Sequence, residues 1–202
     1  MSGSKVDYWQ EAQLRSSIRE LIEFGGDDAA REGLADTPER FLQAWLHYTQ
    51  GYRQDPLDVL KSFADGGETC GDEIVLVSNL LVSSLCEHHL APFWGIAHVG
   101  YIPSKKIVGL SKFQRLIDVY GRRLQVQERL TNQIANALHD HVSAIAVGVV
   151  LECRHTCMEA RGVAVRGAVT VTSALRGAFK DEPDARAEFM SLVRGASRGV
   201  SI

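Results

Sequence analysis

The 202-residue chain has no apolar run long enough to cross a bilayer, and Met1 to Leu14 is polar where a secretory segment would be apolar. An excess of basic charge is also missing. The 22 Lys and Arg stand against 25 Asp and Glu, a net charge of −3 that argues against general nucleic-acid binding. Cysteine is scarce: for Cys70, Cys86, Cys153 and Cys157 in a cytosolic chain of this size, a disulfide framework is not expected. Internal repeats and low-complexity blocks are absent. The expectation is a cytoplasmic protein without membrane or nucleic-acid partners, in which a cysteine near histidines binds metal or does chemistry.

What is present suffices for one good core and a smaller helical appendage, since 45% of the residues are hydrophobic. Charge is spread unevenly. Between Lys105 and Arg166 there are ten Lys and Arg (105, 106, 112, 115, 122, 123, 129, 154, 161, 166) against five acids (118, 128, 140, 152, 159). A locally positive stretch in an acidic chain suits a small polyanion better than a long one.

Hydrophobic period divides the chain. Residues 8 to 24 predict an amphipathic helix, with Leu14, Ile18, Leu21 and Ile22 at helical spacing and Gly25-Gly26 to end it. Thr37-Pro38 opens a second helix with Phe41, Ala44, Trp45 and Tyr48 on its stripe and Gly51 as its stop. Asp65 to Asp72 is a Gly-rich break, placing a helical region over 1–65 and a second region over 66–202. Beyond it, Ile74 to Leu85 and Ile96 to Ile102 read as strands. Ser111 caps a helix in which Phe113, Leu116, Ile117, Tyr120 and Leu124 share a face. Another helix spans about 127 to 141, with Leu130, Ile134, Leu138 and His141 inward. Ala146 to Cys157 and Val163 to Thr172 alternate as two more strands, and the tail from Arg194 is short and Gly/Ser-rich. Two strands, two helices and two strands make an α+β plan with an antiparallel sheet.

Cys86-Glu87-His88-His89 places a thiol and an imidazole three residues apart, within reach of one ion from a tight turn. In the strand ending at Cys157, a period of two sets Val149, Leu151, Cys153, His155 and Cys157 on one face. Cys86, His89 and Cys157 would form a Cys2His set with a fourth position for water, as in a catalytic zinc site; adding Cys153 would instead close a structural one. Cys153 also reads as a small core residue, Cys70 as a loop bystander and Glu87 as a surface charge or a supporting group. His88 and His155 remain as acid/base groups beside the metal.

The stretches SLCEHHLAPFWG (84–95), GLSKFQRLIDVYGRRLQVQERLT (109–131), ECRHTCMEARGV (152–163) and TVTSALRGAF (170–179) closely resemble GTP cyclohydrolase I. REGLADTPERF (31–41) and GYRQDP (51–56) resemble that family's helical region, so the likeness runs from about residue 10 to 192 in matching order. The resemblance implies a T-fold, four antiparallel strands with two helices, preceded by an N-terminal helical hairpin. It also implies a homodecamer of two face-to-face pentamers with active sites between subunits. Zinc ligands then fall on Cys86, His89 and Cys157, and catalytic groups on His88, His155 and Ser111. Guanine recognition falls on Gln127 and Glu128, and triphosphate and ribose contacts on Ser111, Lys112, Arg115 and Arg161. The implied reaction is zinc-dependent hydrolytic opening of the guanine imidazole ring of GTP, with loss of formate and closure to 7,8-dihydroneopterin triphosphate. That is the first step of folate and tetrahydropterin biosynthesis. The chain departs from the usual pattern at Val82-Ser83, Gln114 and Glu159-Ala160, none of which is an implied ligand.

Overall fold

The computed structural model describes residues 8–60, 62–63 and 73–197. The chain begins with α1 (Tyr8–Phe24) and α2 (Thr37–Tyr48), then a 3-10 turn (Gln50–Arg53), α3 (Pro56–Val59) and β1 (Ser62–Phe63). The long strands β2 (Val75–Cys86) and β3 (Pro92–Ile102) follow, then β4 (Ile107–Val108), α4 (Ser111–Gly121), β5 (Leu124–Gln125) and α5 (Gln127–Val142). The chain closes with β6 (Ala146–His155), α6 (Thr156–Glu159), β7 (Val169–Gly177), α7 (Ala178–Asp181) and α8 (Pro183–Ser197). The Gly-rich break and Cys70 lie outside the described residues.

α1 stops where the sequence predicts: Gly26 takes φ +94°, and Asp27 N–H closes on the Ile22 carbonyl at 3.3 Å in a left-handed cap. α1 packs on α2, and Arg15 joins Glu11 of its own helix to Glu39 of the next. The α2 stripe is less buried than its period suggests, for Phe41 and Tyr48 stay exposed while Leu42 is covered.

The main sheet is mixed, in the order β5-β2-β3-β6-β7. The four long strands are antiparallel neighbours, and the two-residue β5 adds a parallel edge on Leu85 and Cys86 of β2, which makes the sheet five-stranded and mixed. Leu124, expected on the α4 face, belongs to that edge because the helix ends at Gly121. On β6, Val147, Val149, Leu151 and Cys153 point into one core with Phe113, Leu116 and Ile117 of α4 and Leu130, Ile134 and Leu138 of α5. The alternate residues Ala146 and Val150 enter a second core with Phe179, Phe189 and Val193. Both sheet faces are therefore covered.

The second cover is α8, which takes in Arg194 to Ser197 of the Gly/Ser-rich tail. His141 is exposed rather than inward; Val142 fills the buried place one residue later. Val163 to Ala168 is loop, and the last strand starts at Val169. Two departures from the family pattern have visible partners. Gln114 pairs its amide with both backbone groups of Leu81 at 2.9 Å each, satisfying β2 next to its bulge, and Glu159 forks onto Arg154 at 2.6 and 2.8 Å.

Candidate metal centre and active site

Sheet register brings the chemistry together at one end of the sheet. β2 ends at Cys86, and β3 starts at Pro92 opposite Leu85, so Glu87 to Ala91 must reverse the chain tightly. Cys86 N–H donates to the Ala91 carbonyl at 2.9 Å, Leu90 N–H returns to Cys86 at 2.8 Å, and Leu90 takes φ +53°. Across β3, Phe93 pairs with His155, the last residue of β6. Cys157 is then delivered by the first turn of α6, not by a continuing strand. The alternation that predicted it stops at His155, where the chain leaves the sheet.

Cys86, His89 and Cys157 form a group whose ligand atoms all lie within 4.8 Å of one another. Cys86 Sγ is 3.8 Å from His89 Nδ1. Burial, and then the neighbouring Cys86, push the Cys157 thiol above its ordinary range. Cys153 does not join them. It is fully buried in the core, where desolvation pushes its thiol up to about 12. His88 Nδ1 is 3.9 Å from the same Cys86 sulfur but stays outside the three-donor group, its side chain largely exposed.

His155 stacks on Phe93, with ring centroids 4.6 Å apart and planes 14° from parallel. Burial lowers its pKa, and Glu128 partly opposes that shift. Gln127 and Glu128 open α5, reached from Cys86 through β5; the Gln127 amide is buried, whereas Glu128 is exposed. Ser111, Lys112 and Arg115 lie on the first turns of α4, and Arg161 in the loop after α6. Among the described residues these four make no side-chain hydrogen bond or ion pair. The positive charges of Lys112, Arg115 and Arg161 thus meet no acidic partner among the described residues, unlike that of Arg154.

Sequence reasoning missed two supports. Arg129 forks onto Glu87, one nitrogen donating at 3.0 Å and the other closer still, tying the Cys86–His89 turn to the start of α5. That bond holds the Glu87 carboxyl below its usual range. The second support is the Phe93 ring beneath His155. Alternating charge and a PFW run hinted at neither, because one needs a helix start docked beside a turn and the other needs register between distant strands.

Residues 14–194 match the family model described as GTP cyclohydrolase I. A protein named GTP cyclohydrolase 1 from Nitrosospira multiformis is 55% identical over 172 residues, covering 85% of this chain and 90% of that one. Its counterpart from Corynebacterium glutamicum is 50% identical over 193 residues, 94% of this chain and 96% of the other. The Campylobacter lari protein of the same name is 47% identical over 188 residues, 93% and 98%. A looser overlap with apo archaeosine synthase QueF-Like, at 18% identity and TM-score 0.43 over 52% of this chain and 93% of that one, has no bearing on the assignment. With a family model matched over most of its length and relatives about half identical along nearly the whole chain, this protein belongs to the GTP cyclohydrolase I family.

Proposed function

We propose that the protein is a zinc-dependent GTP cyclohydrolase, hydrolysing the imidazole ring of GTP, releasing formate and yielding 7,8-dihydroneopterin triphosphate at the entry to folate and tetrahydropterin synthesis. One observation carries the reading: a three-donor group of Cys86, His89 and Cys157, beside His155 and at the start of the helix bearing Glu128. The donor set fits zinc. Metal–sulfur and metal–nitrogen bonds of about 2.3 and 2.0 Å at a tetrahedral angle would put the two donors about 3.5 Å apart, and Cys86 Sγ to His89 Nδ1 is 3.8 Å. Three protein donors leave such an ion one exchangeable position. Bound there, zinc supplies the Lewis acidity that makes water a nucleophile near neutral pH.

The remaining work falls to side chains. Glu128 is exposed, its carboxylate meets no donor among the described residues, and it accepts from N1–H and the 2-amino group of guanine, a pair adenine does not present. Lys112, Arg115 and Arg161 meet the triphosphate, Arg as a fork and Lys as a point charge. His155, sheltered on Phe93, takes up the proton that the attacking water loses and passes it to N7 as the C8–N bond breaks. Ser111 and the exposed His88 serve the ribose steps.

The same reading includes a T-fold catalytic region over 66–202 after a helical hairpin region over 1–65, assembled as a homodecamer with sites between subunits. Surfaces that suit neighbouring copies support it. Val169 and Val171 are exposed on the edge strand β7, and Leu14, Leu21 and Phe41 on the helical pair. No helix among the described residues is long and apolar enough to cross a membrane. The test is formate release from GTP by the zinc-replete protein: a rate no higher than that of Cys157→Ala overturns the proposal.

A further inference from the structure

Gln127 is 2% exposed, and both ends of its side-chain amide are taken. Nε2 lies 3.1 Å from the Leu151 carbonyl, 2.9 Å from the Thr170 carbonyl and 3.0 Å from Thr172 Oγ1. Oε1 lies 2.8 Å from His155 Nε2. The two ends of an amide have nearly the same shape, so partners must decide which is which. Here they do. Carbonyl oxygens only accept, so the nitrogen end faces Leu151 and Thr170.

The hydroxyls agree. Thr131 Oγ1 gives its one proton to the Gln127 backbone carbonyl at 2.7 Å, and therefore accepts from Thr172 Oγ1, also at 2.7 Å. Thr172 Oγ1 has then spent its proton and accepts from Gln127 Nε2. With the nitrogen end fixed from three sides, Oε1 faces His155 and cannot donate. The proton between them must sit on His155 Nε2. The uncharged ring is thereby locked with Nε2–H, and its working nitrogen is Nδ1.

We propose that Gln127 is a positioning residue that acts through His155, setting its tautomer and ring orientation, and does not read the base. Recognition of guanine then rests on Glu128, which turns outward one residue along α5 while Gln127 turns in. The inference builds on the cyclohydrolase reading, yet it has a test that needs no turnover.

Gln127→Met keeps volume and removes the acceptor. In the zinc-loaded variant kcat for GTP should fall by about 10²-fold, the scale of one acid–base group, with KM changed by less than about threefold. Added to His155→Ala, it should cost less than about twofold more, since both act on one step. A tenfold rise in KM with kcat kept, or losses that multiply in the double variant, would overturn the proposal. Thr172→Val, which loosens the amide but leaves it in place, should move kcat in the same direction by less; a KM effect there counts against it. Independently, ¹⁵N spectra of histidine-labelled protein at pH 8, assigned by difference from His155→Ala, should show His155 protonated at Nε2 and bare at Nδ1. Finding the proton on Nδ1 refutes the inference whatever the enzyme does with GTP. Wild-type protein releasing no formate would instead refute the functional reading.

Discussion

Gly148 and Gly100 face each other across β6 and β3, and the ring of Phe189 from α8 lies over the pair. A methyl added at Gly148 would come within 2.6 Å of two Phe189 ring carbons, and one at Gly100 within 2.7 Å of another. The ring cannot step aside: Phe189 is fully buried and stacked on Phe179 at 4.8 Å. Overpacking of this kind costs about 1–3 kcal/mol. Ala for Gly returns about 0.4–1 kcal/mol by restricting the unfolded chain. Gly148→Ala should therefore lose about 1–2 kcal/mol, and at about 2–4 °C per kcal/mol for a chain of this size its Tm should drop by about 2–8 °C. Thermal unfolding followed by circular dichroism measures this. On a Phe189→Leu background the same substitution should be nearly free, because the smaller side chain vacates the notch. A neutral Gly148→Ala, or an equal cost on both backgrounds, would refute the seating of α8 on the glycine pair.

Glu128→Ala should keep zinc but lower kcat/KM for GTP by at least about 10³-fold, since nothing else named here matches the guanine donors; metal content and formate release on one preparation check both halves. The stability of the α8 face should depend on His98. Its ring is fully buried with Nδ1 unpartnered, near Glu152 of β6 at 3.7 Å and Ser197 of α8 at 3.2 Å. Burial lowers its pKa, with Glu152 opposing. Below about 6.5 the unfolded chain binds a proton that the folded ring resists, so stability falls as pH drops through the window under that value. His98→Gln should flatten the fall in Tm between pH 7.5 and 5; parallel curves for variant and wild type would count against the assignment.

The candidate metal group was partly legible because Cys86 and His89 share one turn, and His155 beside it follows a clean alternation along β6. Cys157 joins that group by another route than the strand period suggested, since a helical turn presents it. Whether Cys153 was a fourth ligand could not be read from spacing. Depth in the core settles it, and depth is a property of helices packed from elsewhere in the chain. α8 escaped notice because only Phe189 and Val193 of its length are fully covered, too sparse a stripe to announce a helix. The hold on His155 was equally hidden. It needs Leu151, Thr170 and Thr172 from two strands around one side chain from a helix, and no local pattern encodes that meeting. Gln114 marks the opposite case. It is a departure visible in the sequence whose meaning, a bond pair to the Leu81 backbone, only the fold supplies.

The most direct test strips the protein of metal with a chelator, restores zinc in steps, and measures formate released from GTP against zinc bound. Formate release should rise from nothing in proportion to bound zinc and saturate at about one ion per chain, the stoichiometry of a single three-donor site. Cys157→Ala should neither retain that ion nor release formate. Formate production by the metal-free protein, or a fully zinc-loaded protein that leaves GTP intact, would contradict the account at its centre.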